Sequence, residues 1–224
     1  MDSLPDHSVV IALSGKIKYM SQSIFYKFRQ ASDFWYLTGF AEPESAVVLD
    51  SKGYRMTLFL RPKDKQHELW EGACTGVDAA IALFGADSAH PMDSLPTILR
   101  SLLTDSKCEN IYVDSSMSPR GRSKKGLFDF LTKGAKAEYD GILSAAKGRV
   151  KELGTEVGRM RAYKSVAEQR IMRKAGEISG RAHAKTMAFT AEAQTEAQLA
   201  AHLEYQCALH GAQRPAYVPV VASG

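Results

Sequence analysis

The chain has 224 residues, 45% of them hydrophobic and 24% charged, a balance that excludes a disordered polypeptide and suits one substantial core or two smaller ones. Its 29 lysines and arginines face 25 acidic residues, so the net charge of +4 is too small an excess to argue for a nucleic-acid partner. No run reaches the ~18 consecutive apolar residues that a membrane span needs, and Met1-Asp-Ser-Leu-Pro-Asp6 carries neither a basic leader nor an arginine-rich amphipathic pattern.

In chain order, Val9-Val-Ile-Ala-Leu13 is an apolar, β-branched run that predicts a core strand. A core strand so close to Met1 leads us to expect a further N-terminal element outside this sequence. Phe34, Trp35, Tyr36 and Phe40 form an aromatic cluster that reads as core, with Asp33 as the cap of a short helix. Ala46 to Leu49 and Thr57 to Leu60 are two more strands, and Asp50-Ser-Lys-Gly53 between them has the turn chemistry of an antiparallel hairpin. Glu68-Leu-Trp-Glu71 is polar around one large aromatic and reads as a loop.

Helical spacing of apolar residues returns from Gly76 to Phe84 and from Met92 to Leu103, where Ile98, Leu99, Leu102 and Leu103 form one stripe. Ile111-Tyr-Val113 supplies another strand. The alternation predicts an α/β fold, a sheet flanked by helices. From Lys147 to Lys174 basic residues outnumber acidic ones and the strand pattern fades, which puts a junction near Gly158 to Lys164 and divides the chain into 1–160 and 161–224.

Two helices follow. Ser165-Val-Ala-Glu168 is a capping box leading into an apolar face of Ile171, Ala175, Ile178, Ala182 and Phe189; Thr195-Glu-Ala-Gln198 repeats the device ahead of Leu199, Leu203 and Cys207, with Gly211 placed to end the helix. Pro215-Ala-Tyr-Val-Pro-Val-Val-Ala-Ser-Gly224 then reads as the start of a new sheet. An apolar run is a poor finish for a domain, so the sequence is expected to be incomplete. The stripes of the two helices are expected to be partly exposed.

Few residues have the spacing that chemistry requires. Cys74, Cys108 and Cys207 lack CxxC spacing and read as reduced thiols. Cys74, flanked by Gly72 and Gly76, is a candidate nucleophile, although no histidine is tied to it by spacing. His183 and His210 have no acidic or cysteine partner at i+3 or i+4, and His202 and Glu204, two apart, face different sides of a helix, so these histidines read as surface or packing residues. His7, His67 and His90 sit in loop-like contexts. Ser14-Gly15, Gly121-Arg-Ser123 and Ser223-Gly224 lack the surroundings of a nucleophile elbow or a phosphate loop. Arg120, Arg122, Lys124 and Lys125 form a basic run that reads as a solvated face, since no nucleic-acid-binding pattern accompanies it.

Phe28-Arg-Gln-Ala-Ser-Asp-Phe-Trp-Tyr-Leu-Thr-Gly-Phe-Ala-Glu-Pro-Glu44 closely resembles the signature of the aminopeptidase P type N-terminal domain. Tyr217-Val-Pro-Val-Val-Ala-Ser-Gly224 resembles the segment that opens the catalytic sheet in Xaa-Pro aminopeptidases. Leu69-Trp-Glu-Gly72, Gly76-Val-Asp-Ala79, Arg161, Lys164-Ser165 and Glu168 fall in the order that family would place them. Phe25-Tyr-Lys-Phe-Arg-Gln30 and Trp70-Glu-Gly72 resemble the branch that trims imported mitochondrial precursors.

The resemblance implies a mixed sheet with helices packed around it over 1–160, followed by the first helices of a pita-bread catalytic domain over 161–224. It implies a hydrolase that removes N-terminal residues preceding proline with two manganese-type metal ions, acting in mitochondria or, alternatively, in the cytoplasm. The family's metal ligands, two aspartates, a histidine and two glutamates, belong to positions beyond Gly224. No metal ligand or catalytic residue is therefore assigned here, and the chain alone is expected to bind no metal and to be inactive. Expected partners are peptides with proline at the second position and further copies of the chain, with no nucleic acid. Most single tryptophans in such a place are packing residues; the resemblance implies another role for Trp70, as a candidate substrate-cleft or subunit-contact residue, since members of the family oligomerise and exposed aromatics are enriched at binding surfaces. A different class also fits: a non-catalytic interaction module that keeps only the N-terminal domain.

Overall fold

The computed structural model describes residues 1–104, 108–114 and 141–223. The chain divides into two compact units, Met1–Met160 and Arg161–Gly224. The first unit is built on a six-stranded mixed sheet in the order β4-β3-β2-β1-β5-β6. Its strands are β1 (Ser8–Leu13), β2 (Ala46–Asp50), β3 (Arg55–Leu60), β4 (Ser88–Pro91), β5 (Asn110–Val113) and β6 (Val150–Glu152). β2 pairs antiparallel with β1 and β3, while β1 with β5, β3 with β4 and β5 with β6 run parallel.

Because successive strand residues point to opposite faces, β1 feeds two cores. Val9, Ile11 and Leu13 meet Val48, Phe59, Ile111, Leu95 and Leu99 on one side. Val10 and Ala12 meet Val47, Leu58, Phe34, Phe40 and Ala80 on the other. Every residue of β1 is buried, which is why its sequence is a continuous apolar run rather than an alternating one. The helices that follow are α1 (Ser32–Thr38), α2 (Lys65–Glu71), α3 (Gly76–Phe84), α4 (Leu95–Thr104) and α5 (Leu153–Ala162), and all of these but α2 bury residues against the faces. In α4, Leu99 and Leu103 are buried, and Ile98 and Leu102 pack against the same core.

The hairpin between β2 and β3 is antiparallel as expected, with Asp50 opposite Arg55, and Gly53 and Tyr54 take positive φ in its turn. Several expectations are corrected. Asp33 does not cap α1: the N-cap is Ala31, with no side-chain bond, and Asp33 lies in the first turn, where a carboxylate favours the helix dipole. Trp35 and Tyr36 are not core, being 54% and 37% exposed, whereas Phe34 and Phe40 are buried. A single helical turn cannot aim three consecutive side chains inward.

The segment Glu68–Glu71 is no loop but the second half of α2, whose start is set by Asp64 accepting from Gln66 N at 2.8 Å. His67 lies on that helix and His90 on β4, so neither is in a loop. The strand pattern does not end before Lys147 either, since β6 continues the sheet at Val150.

Between β1 and α1 the chain projects a narrow finger. Tyr19 and Phe25 form an antiparallel bridge, Met20 N donates to Ile24 O at 2.8 Å and Tyr26 N to Lys18 O at 2.8 Å. Its neck is closed by the buried Gln30, whose Oε1 accepts from Gly15 N at 2.6 Å and Ala31 N at 2.8 Å. Gln30 Nε2 donates to Phe40 O and Glu42 O at 3.2 and 2.7 Å.

In the second unit, α6 (Val166–Phe189) packs on α7 (Glu196–Leu209). Both expected capping boxes are present. Ser165 Oγ accepts from Glu168 N at 3.2 Å while Glu168 Oε2 accepts from Ser165 N at 2.7 Å. Ile178 and Ala182 are buried, but Ile171, at 70% exposure, leaves its end of the stripe open. After α7, Gly211 takes a φ of 89° and closes the helix. Residues 215–222 form no strand, so the expected new sheet does not begin among the described residues. Ser223 instead donates to Glu196 Oε1 through its N (2.7 Å) and Oγ (2.9 Å).

Candidate functional site

The polar groups of the first unit concentrate around α2. Asp64 Oδ1 caps the helix and its Oδ2 bonds His67 Nδ1 at 3.0 Å. The backbone N–H of Gln66, followed by the His67 ring, holds the Asp64 carboxyl below the usual aspartate range. At the other end Gly72 takes a φ of 89°, turning the chain back so that Glu68 Oε1 accepts from Cys74 N at 3.0 Å and Cys74 Sγ at 3.3 Å. The Cys74 N–H, then its thiol, lowers the Glu68 pKa.

Beneath the helix, Arg61 Nη1 donates to Glu71 Oε2 at 3.0 Å and Arg61 Nε lies 3.9 Å from Glu44 Oε2. Glu42 Oε1 accepts from Thr75 N at 2.8 Å and also from the Thr75 hydroxyl. Glu44, Arg61, Asp64, His67, Glu68, Glu71 and Cys74 line a shallow cleft of about 120 Å³. α2 is thus stapled at both ends by side-chain bonds while burying none of its residues. Trp70 and Leu69 stand on its outer surface, Trp70 at 85% exposure. A large aromatic offered on a pinned helix can meet a partner at little entropic cost.

Chemistry at this cleft is limited by those same bonds. Burial pushes the Cys74 thiol up, and the Glu68 carboxylate reinforces the shift; a thiol held protonated is the opposite of an activated nucleophile. The geometry lends no support to a nucleophilic Cys74. Among the described residues no three His, Cys, Asp or Glu side chains converge as a metal donor set. The carboxylates at the cleft already serve Arg61, His67 and Cys74.

The other candidates disperse. Ser14 Oγ accepts from Ser45 N at 2.8 Å and donates to Gly15 O at 3.0 Å, a structural tie. His183 Nδ1 bonds Ser179 O at 2.7 Å, and His202 stacks on Phe189 with centroids 4.3 Å apart; both are packing or surface residues. Arg120, Arg122, Lys124, Lys125 and Gly121-Arg-Ser123 lie outside the described residues. Sequence reasoning missed the α2 staples, although Asp64 three residues before His67 was a readable cap signal.

Comparison with known proteins adds the context. The family model of the aminopeptidase P N-terminal domain matches residues 1–112, and that of metallopeptidase family M24 matches 170–224. Intermediate cleaving peptidase 55, mitochondrial, of Arabidopsis thaliana is 34% identical over 100% of this chain and 42% of its own length. Xaa-Pro aminopeptidase 3 of Rattus norvegicus is 35% identical over 98% of this chain and 42% of its own length. The low-pH structure of aminopeptidase P from E. coli superimposes with a TM-score of 0.76 at 28% identity, covering 96% of this chain and 48% of that one. The chain spans about two fifths of the length of these curated relatives, 42% in both.

Proposed function

The chain belongs to the aminopeptidase P family, and from that membership we propose that it supplies the N-terminal part of an Xaa-Pro aminopeptidase. The reaction is removal of an N-terminal residue preceding proline, from peptides or from imported precursor proteins. The observation that carries the reading is the order of the two family matches, an aminopeptidase P N-terminal domain at 1–112 and metallopeptidase family M24 at 170–224. In this reading 1–160 is the N-terminal domain and 161–224 the beginning of the pita-bread catalytic domain.

A pair of divalent ions, manganese in our reading, activates water and polarises the scissile carbonyl in such an enzyme. Following the family resemblance, its ligands are assigned outside this chain. The role of this chain is then to scaffold and to contact. Trp70 is proposed to reach the substrate cleft of a neighbouring copy in a homo-oligomer. The similarity to intermediate cleaving peptidase 55, mitochondrial, supports action in mitochondria, with the cytoplasm as the alternative.

A second reading, a non-catalytic interaction module, draws support from α2, which presents Trp70 without using it for packing. One experiment separates the two. The 224-residue chain, and the same chain extended by its downstream reading frame, are assayed for hydrolysis of a proline-containing peptide with manganese and analysed for bound metal. We expect activity and stoichiometric metal only in the extended protein, and a loss of about tenfold in kcat/KM on Trp70→Ala, the scale of a modest binding hot spot. A stop directly after codon 224 would favour the module. Activity with bound metal in the 224-residue chain would overturn the assignment of the ligands.

A further inference from the structure

The finger between β1 and α1 is used by none of the foregoing. It presents Tyr19, Met20, Ile24, Phe25 and Tyr26 to solvent, each 52–57% exposed. The Tyr19 and Phe25 rings meet edge to face at 6.3 Å across the bridge, and Met20 and Ile24 close the tip by a backbone bond. Lys18, Lys27 and Arg29 are exposed along its stem. No acidic residue occurs between Asp6 and Asp33, and beyond the neck Glu42 is engaged by Thr75 and Glu44 by Arg61.

We infer that this finger is a docking device for an anionic lipid surface. An apolar and aromatic tip above a ring of cations suits the boundary of a bilayer, where rings and aliphatic groups enter the headgroup layer and the lysines meet anionic lipids. A second copy of the same face would set cations against cations. Single-stranded nucleic acid would stack on the rings of Tyr19, Phe25 and Tyr26 but gain nothing from the exposed Met20 and Ile24. The Gln30 clamp closes the neck on Gly15 and Ala31, so the tip is presented with little ordering cost. The device is peripheral, since no helix among the described residues is long and apolar enough to cross a membrane.

The test is co-sedimentation of the full 224-residue chain with vesicles of phosphatidylcholine, with and without phosphatidylserine. Three variants accompany it: Lys18→Glu with Lys27→Glu, Ile24→Ser with Phe25→Ser, and Ile171→Ser as a control on the open stripe of α6. We expect binding to anionic vesicles that weakens with salt. The charge pair should cost at least about tenfold in apparent affinity, each surface lysine being worth roughly fivefold. The tip pair should cost about tenfold through lost apolar insertion, with Ile171→Ser unchanged. All the altered side chains are exposed, and an unchanged melting temperature verifies folding. Four outcomes would overturn the proposal: no vesicle binding, equal binding to neutral vesicles, binding lost only with Ile171→Ser, or a tip-dependent dimer without vesicle binding. Salt-dependent retention of single-stranded DNA in place of vesicles would assign the finger to nucleic acid and equally overturn it.

Discussion

Gln30 holds Gly15 by a hydrogen bond of 2.6 Å from the Gly15 backbone N–H to the Gln30 carboxamide oxygen. The same side chain serves Ala31 N, Phe40 O and Glu42 O, so one buried amide satisfies four backbone groups on three stretches of chain. Gln30→Ala leaves them unpaired and is expected to lower stability by about 2–4 kcal/mol, read as a lower urea midpoint at unchanged slope. Gly15→Ala should cost stability too, because a Cβ there would meet Arg29 O at 3.1 Å.

Two neighbouring aromatics should behave oppositely. Phe34 is fully buried and Trp35 is 54% exposed. Phe34→Ala is expected to cost about 3–5 kcal/mol through the cavity it leaves, while Trp35→Ala should stay within about 1 kcal/mol. Thermal or urea unfolding of the two variants checks this, and similar losses would mean that Trp35 is covered in solution.

The pairing of Glu68 with Cys74 gives a pH prediction. Glu68 is depressed, so its contribution is present above the ordinary glutamate range and fades as pH falls through the folded-state pKa. Cys74 is raised, so its contribution holds below the ordinary thiol range and fades as pH rises through the folded-state value. Alkylation of Cys74 should therefore reach half its maximal rate at higher pH in the folded chain than in urea. Glu68→Gln should move that midpoint down without abolishing the shift, burial being the larger cause. Peptide mapping of alkylated Cys74 across pH is the measurement.

Both helices of the second unit depend on their starts. Ser165→Ala or Thr195→Ala removes the oxygen that accepts from Glu168 N or Gln198 N and is expected to cost about 1 kcal/mol each. Hydrogen exchange should show the first turn of the affected helix fraying while the other helix keeps its protection.

The exposed apolar side chains of α6, Ile171 at the open end of the stripe with Met172 and Met187 beside it, should bind a dye that lights up on apolar surface. Fluorescence no higher than that of a compact control would show these side chains covered in solution.

What could be read from the sequence follows its physics. β1, β2, β3, β5, α3 and α4 announce themselves because each carries the apolar run or stripe that its burial requires. β4, Ser88-Ala-His-Pro91, and β6, Val150-Lys-Glu152, do not, since they are edge strands held by ladders to β3 and β5. α2 offers the sequence no more than its Asp64 cap, because caps and ion pairs, not an apolar face, stabilise it. Trp70 could be singled out as an exposed aromatic, but its place on a stapled helix needed Asp64, Glu68 and Arg61 in three dimensions. Gln30 gave no signal: a buried amide reads like any surface glutamine until its four partners are placed around it.

The strand order also fixes when the first unit can be finished. β1 lies between β2, its neighbour in sequence, and β5, which arrives at Asn110, with β6 following only at Val150. On the ribosome the β1-β2-β3 meander can pair early, yet the other edge of β1 must wait. At ~5–20 residues per second, that wait is on the order of five to twenty seconds. Through it the nascent chain carries an open strand edge, even as α1, α3 and α4 emerge to cover the faces, and that edge invites pairing with other chains. Slower synthesis would lengthen this window and faster synthesis shorten it, so the yield of folded protein should respond to codon usage between β1 and β5.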